Sequence, residues 1–280
     1  MFAPGLLSGR RALITGGGTG LGRAIARRYL QLGARIAICG RRLAVLEETA
    51  AALRAEIPGA DIAAYACDIR DAAAVEAMLD TVFAEGAPDI LVNNAAANFL
   101  AQTHRLSARA LDAVLATTLH GAAYCTMGVG RRWIDAGQPG GVLSILTLSA
   151  LQGAAFTVPS AMAKAGVLAM TQSLAVEWGR HGIRLVAIAP GTFPTEAAVA
   201  RLRPGGLDHG DVPLNRAGKH EELTDLAAYL VSKNAGYITG ECVVIDGGRR
   251  YLGGARAGVR EMLGWDDAAW EKQREKTPKK

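Results

Sequence analysis

Short apolar runs alternate along the chain with longer stretches whose apolar residues recur every three or four positions. The runs ALIT (12–15), RIAIC (35–39), DIAAYAC (61–67), DILVNN (89–94), GVLSILT (141–147), IRLVAIAP (183–190) and CVVIDGG (242–248) are short and carry few polar residues. They read as strands buried on both faces. Helical periodicity fills the intervals: GLGRAIARRYLQLG, AVLEETAAALRAEI, AAAVEAMLDTVFAEG, a long region at 106–136, the segment 160–180, and ELTDLAAYLVS. Gly33, Gly59 and Gly86 stand near helix ends, and Pro58 and Pro88 stop helices from continuing. This alternation predicts an α/β fold, a single doubly wound domain of about seven parallel strands with helices on both faces. No linker or repeat divides residues 1–280, and the core is expected over about 8–250. The stretch 192–220 mixes periodicities and holds many helix breakers, which predicts a mobile lid. The tail 251–280 has a weaker helical signal and is expected to fray.

Composition narrows the class. The 280 residues are 50% apolar and 20% charged, the balance of a soluble globular protein. The net charge of +5 is dispersed over arginine pairs at 10–11, 27–28, 41–42, 131–132 and 249–250, with no basic stripe interleaved with aromatics. Nucleic acid is therefore not an expected partner, whereas small anionic ligands are. The cysteines Cys39, Cys67, Cys125 and Cys242 lack metal-ligand spacing and any pairwise pattern. They read as buried reduced thiols, and no metal is expected. The start, MFAPGLLSGRR, is too short in its apolar part for a secretion signal, and no apolar run suits a membrane span. A cytoplasmic location is the expectation.

The octet TGGGTGLG (15–22) follows a strand and opens a helix. In that context its glycines let the backbone approach a pyrophosphate, whose charge then faces the positive end of the helix dipole. The fold is thus of the Rossmann type, and Gly16, Gly18, Thr19, Gly20, Leu21 and Gly22 are candidate dinucleotide contacts. The end of the second strand selects the dinucleotide. A carboxylate there would accept from ribose hydroxyls; the sequence instead reads CGRR, with Arg41 and Arg42 after Gly40. Two guanidiniums suit a 2′-phosphate, so the expected cofactor is NADPH. Asp68, after the third strand, either holds the adenine amino group or caps the next helix.

Together these motifs resemble the short-chain dehydrogenase/reductase family over roughly residues 8 to 250. TGGGTGLG is similar to its cofactor loop and NNAA (93–96) to its fourth-strand signature, which brings in Asn94. Lys164 matches the lysine of its Tyr-x-x-x-Lys pair, and IAPGTFPT (188–195) its nicotinamide-covering loop with Pro190, Gly191, Thr192 and Phe193. Further stretches, NNAAANF, RLS (105–107), VPSAMAKAG, LAVEWGRHGIRL and ARLRPGG, resemble the 2,4-dienoyl-CoA reductase branch. The resemblance implies that Lys164 holds the nicotinamide ribose, Ser160 supports the cofactor and Asn98 holds the thioester carbonyl. It implies that Arg70, Phe99, Ser107 and Arg201 line an acyl-CoA path, and that the protein is a homotetramer acting in fatty acid β-oxidation.

The residue four before Lys164 is Ser160, where most relatives have tyrosine. A phenol near a lysine can serve as an acid beside a carbonyl oxygen; an aliphatic hydroxyl is far weaker. Reduction of a conjugated thioester needs donors aimed at the oxygen where charge develops rather than a strong acid. Ser149, eleven residues before Ser160, stands where the mitochondrial-type dienoyl reductases have another tyrosine. Thr147, a water on Ser149, or His120 could supply the missing donor. Thr118 takes the place of the wider family's helix asparagine. Two other readings stay open: a general carbonyl reductase or alcohol dehydrogenase of the family, and a catalytically weak NADPH-binding protein.

Overall fold

The computed structural model describes residues 5–195, 212–252 and 258–275. Its strands are β1 (Arg11–Thr15), β2 (Arg35–Gly40), β3 (Ile62–Ala66), β4 (Ile90–Asn93), β5 (Gly140–Ile145), β6 (Ile183–Pro190) and β7 (Cys242–Ile245). All pair in parallel, in the order β3-β2-β1-β4-β5-β6-β7. The expected seven-stranded parallel sheet is present. Alternate residues enter opposite cores, which explains why the runs are apolar throughout. Ala12, Ile14, Ile36, Ile38, Ile90 and Val92 face one side, and Leu13, Ala37, Cys39 and Leu91 the other.

The first side is covered by α1 (Gly20–Gln31), α2 (Leu43–Glu56) and a helix at His220–Val231, through Ile25, Tyr29, Leu46, Leu53, Leu223 and Leu230. The second is covered by α3 (Ala72–Ala84), α5 (Gly121–Asp135) and α7 (Val158–Trp178), through Val75, Leu79, Val129, Trp133, Ala175 and Trp178. Between them in the chain lie α4 (Ala108–Leu115) and α6 (Ser149–Gln152); His220–Val231 is α8. Three of the four cysteines are buried and all four are free, as expected for structural thiols.

The region 106–136 is helical as expected, from Ala108 to Asp135, with a π turn at Ala116–His120 that apolar periodicity does not reveal. Two expectations need correction. The helix after β3 is capped by Asp71, whose carboxylate accepts from Ala73 N (2.8 Å) and Ala74 N (3.2 Å), so Asp68 is not its cap. The tail is not simply frayed: α9 (Arg249–Leu252), α10 (Val259–Met262) and α11 (Asp267–Glu275) form there. Asp266 accepts from Ala269 N at 2.9 Å, and Trp265 and Trp270 meet edge to face at 4.9 Å, which holds this short segment together. Within the stretch read as a lid, 196–211, with Arg201, lie outside the described residues. Among the described residues no helix is long and apolar enough to cross a membrane.

Candidate active site

The strand order reverses between β1 and β4, and a crevice opens at the carboxyl ends of strands where such a reversal occurs. Thr15 ends β1 and organises this point. Its hydroxyl donates to Val92 O and accepts from Asn94 N (3.1 Å) and Ala95 N (3.0 Å). Asn94 Nδ2 returns to Thr15 O (3.0 Å) and Gly16 O (3.2 Å), so Asn94 braces the glycine loop rather than offering a free amide. Thr49 on α2 donates to Gly18 O at 2.7 Å.

The glycines of this loop are required by geometry. A Cβ on Gly17 would lie 2.3 Å from Ile38 Cγ2, and one on Gly22 would lie 2.4 Å from Gly16 O and 2.5 Å from Asn94 Nδ2. Gly16 and Gly20 have φ of 66° and 55°, which costs other residues energy. The first turn of α1 contains no acidic residue, and Thr19 at its N-cap makes no side-chain cap hydrogen bond. Amides and dipole at this end remain available to an anion. A dinucleotide pyrophosphate fits this loop.

Arg41 and Arg42, just past β2, are both exposed, and neither has a carboxylate within ion-pair distance among the described residues. Asp68 and Arg70 lie together past β3. Arg70 donates to Asp68 from Nη2 (2.5 Å) and Nε (2.9 Å). That hydrogen bonding, with a smaller contribution from the charge of Arg41, holds the Asp68 carboxyl below its ordinary range. The pair ties Arg70 to Asp68. Ser107 is the N-cap of α4 and accepts from Ala110 N at 3.2 Å.

The remaining candidates gather on the loops after β4, β5 and β6. Lys164, 5% exposed on α7, donates from Nζ to Ile145 O at the end of β5. Burial alone pushes its pKa down to about 8. Ser160, one turn earlier, is 3% exposed. Just beyond Ile145, Thr147 Oγ1 and Ser149 Oγ share a hydrogen bond of 2.5 Å. Asn98 Oδ1 accepts from Phe99 N at 2.9 Å, which fixes the amide plane and leaves Nδ2 to donate elsewhere. The Asn98 loop and the loop between α6 and α7 are joined by Ala101 N donating to Phe156 O at 2.9 Å.

Thr118 is the contact that sequence reading left without a role. It is 1% exposed in the π turn, accepts from Ala97 N at 3.0 Å and donates to Ala97 O at 3.4 Å. The residue beside Asn98 is thereby tied to a buried helix. The one signal for it in the sequence was its position in place of an asparagine. His120, two positions after Thr118, is exposed, its ring 6.1 Å from that of Tyr124.

The loop after β6 closes the other side. Gly218 N donates to Thr192 O (2.9 Å), Arg249 reaches Thr192 Oγ1 (3.2 Å), and Phe193 is 9% exposed. Pro190 ends β6, and Gly191 N donates to Ile245 O at 2.8 Å; a Cβ on Gly191 would meet Asp246 Cα at 2.7 Å. A Cβ on Gly20 would lie 3.4 Å from Thr195 Cγ2, so this loop reaches the glycine loop. Gly16–Gly22 and Pro190–Thr195 therefore bound one crevice.

A family model described as enoyl-(acyl carrier protein) reductase matches residues 16–250. An uncharacterized oxidoreductase of Caenorhabditis elegans is 44% identical over 96% of this chain and 88% of its own length. A Bacillus subtilis (strain 168) protein named probable 2,4-dienoyl-CoA reductase [(2E)-enoyl-CoA-producing] is 39% identical over 86% of this chain and 96% of its own. The crystal structure of a short chain dehydrogenase from Bacillus anthracis, 39% identical, superposes with a TM-score of 0.77 over 86% of this chain and 96% of that one. A sheet of this order, a glycine loop at its switch point, a buried lysine on α7 and these relatives agree: the chain belongs to the short-chain dehydrogenase/reductase family of oxidoreductases, which work with a nicotinamide dinucleotide.

Proposed function

We propose that this oxidoreductase uses NADPH to reduce a conjugated acyl-CoA thioester, acting as a 2,4-dienoyl-CoA reductase. The observation that carries the reading is the fixed amide of Asn98. Its Oδ1 is engaged by Phe99 N, its neighbour Ala97 is tied to buried Thr118, and its Nδ2 is left to donate. A prealigned donor of this kind steadies charge developing on a thioester oxygen with little reorganisation. Serine at 160 and at 149 supports the same reading, since neither hydroxyl is a strong acid for ketone reduction. The relative named as a dienoyl-CoA reductase adds to it.

The cofactor choice rests on Arg41 and Arg42, exposed guanidiniums with no carboxylate within ion-pair distance among the described residues, which suit a 2′-phosphate. Gly16–Gly22 would cradle the pyrophosphate, Lys164 would donate to the nicotinamide ribose, and Pro190–Phe193 would cover the ring. When bound, the reduced nicotinamide supplies a hydride. Asn98 would hold the thioester oxygen, the linked Thr147 and Ser149 hydroxyls would serve as further donors, and water would supply the proton to carbon. The homotetramer belongs to the same reading, supported by exposed Met127 on α5 and Val176 on α7.

The test follows NADPH absorbance with 2,4-hexadienoyl-CoA beside a plain enoyl-CoA and a plain ketone. The dienoyl thioester is expected to be turned over fastest and the ketone scarcely at all. Ketone reduction without dienoyl turnover would favour a carbonyl reductase, working through the Thr147–Ser149 hydroxyl pair. NADPH binding with no oxidation by any of the three would reject the enzymatic reading.

A further inference from the structure

Two non-glycine residues have positive φ among the described residues, Asn215 at 51° and Phe156 at 61°. Asparagine tolerates that region because its short side chain bonds locally; for a phenylalanine it is a strained conformation. Strain of this kind persists only where surrounding structure enforces it, and it concentrates at ligand sites. Here the enforcing contact is Ala101 N donating to Phe156 O at 2.9 Å, across two loops.

The strain does no work for the core. Phe156 is 59% exposed and belongs to none of the three buried clusters. The conformation turns the ring into solvent, beside the loop that carries Asn98. Leu100, adjacent to Ala101, is 43% exposed, and Leu151 on α6, in the same 149–156 segment, is 45% exposed. Leu151 lies two residues after Ser149, whose Oγ is hydrogen-bonded to Thr147 Oγ1. Exposed large apolar side chains grouped at the mouth of a polar crevice mark a surface meant to be covered.

We propose that Phe156, with Leu100 and Leu151, forms the wall that receives the apolar acyl chain, and that Phe156 sets the preference for chain length. The proposal rests on the thioester reading above and adds a residue and a selectivity to it. Phe156→Asn removes the ring while supplying a side chain suited to positive φ, so binding and folding effects separate. Phe156→Leu keeps the strain and part of the apolar surface.

The NADP⁺-loaded protein is titrated calorimetrically with butyryl-CoA and decanoyl-CoA, saturated thioesters that it cannot reduce. The wild type is expected to bind the longer thioester more tightly. Phe156→Asn is expected to keep or raise Tm and to lose roughly five- to tenfold affinity for decanoyl-CoA but less than about twofold for butyryl-CoA, with Phe156→Leu between. Equal decanoyl-CoA binding by wild type and both variants overturns the proposal. So does an equal loss for both chain lengths, or a changed oligomeric mass by light scattering with decanoyl-CoA affinity intact, which would make the patch a contact between copies. Chain-length-dependent binding that Phe156→Asn abolishes, in a protein that fails to turn over 2,4-hexadienoyl-CoA, would reject the catalytic reading and leave the acyl wall standing. Failure of the wild type to bind either thioester rejects both.

Discussion

The two ends of the crevice are built differently. At the dinucleotide end the backbone does the work, and missing side chains are the specification: Gly17 and Gly22 have no space for a Cβ. At the substrate end, side chains on loops do the work, and several are exposed. Residues 151–156 are all solvent-facing, and the Asn98 loop is held by Thr118 and Ala101. The rigid end tolerates little change, so cofactor binding persists across a family. Serine stands at 160, buried on helix α7, in place of a phenol, while the exposed loops beside it leave room for substrates of different shape.

The sharpest way to break this contrast is Asn98→Ala. Loss of a donor at the reacting oxygen is expected to lower kcat by about a hundred- to a thousandfold, with the cofactor Kd nearly unchanged. A kcat within threefold of wild type would remove Asn98 from the account. Next is Arg41→Asp, which places a carboxylate where a 2′-phosphate is expected. Affinity for NADPH should fall by roughly ten- to a hundredfold and that for NADH should rise; an unchanged preference in fluorescence titration would contradict the role of Arg41.

A smaller effect is expected from Thr118→Val, which keeps the shape and removes the hydroxyl that holds Ala97. A loss of about tenfold in kcat is expected, with KM little changed and Thr118→Ser restoring the rate, because a positioning bond contributes of order 1 kcal/mol. Hydrogen exchange at the Ala97 amide should quicken in the valine variant and not in the serine one. Equal exchange in both would show that the tie is dispensable.

The smallest effect is a pH dependence. Burial lowers Lys164 to about 8, below its ordinary value, so the unfolded chain binds more protons between there and about 10.4. Below about 8 both states are charged and the cost of burying the charge is fully present. As pH rises through that window the cost is relieved. Wild-type stability should therefore rise relative to Lys164→Met between pH 8 and 10 in denaturant titrations without cofactor. A constant difference would mean that the amine is not held in a desolvated site.

The glycine loop was legible in the sequence, because Gly16, Gly17, Gly20 and Gly22 each answer a local geometric demand. The sheet was legible for the same reason: strands buried on both faces must be apolar throughout. What escaped depends on contacts between distant residues. The tie from Thr118 to Ala97 joins a π turn to a loop twenty-one residues away in the chain. The ion pair between Arg70 and Asp68 is likewise not visible in the sequence. Ser107 caps a helix whose start lies inside a longer periodic region. The positive φ of Phe156 has no mark in GAAF at all, because it is imposed by Ala101 on another loop.

The most direct test of conjugate reduction without a phenol is the fate of the transferred hydride. NADPH deuterated at its transferable position is supplied with 2,4-hexadienoyl-CoA, and the product is examined by NMR and mass spectrometry. The account predicts one deuterium on the diene carbon farthest from the thioester, with the thioester intact. Deuterium on the carbon that had been the carbonyl would contradict it.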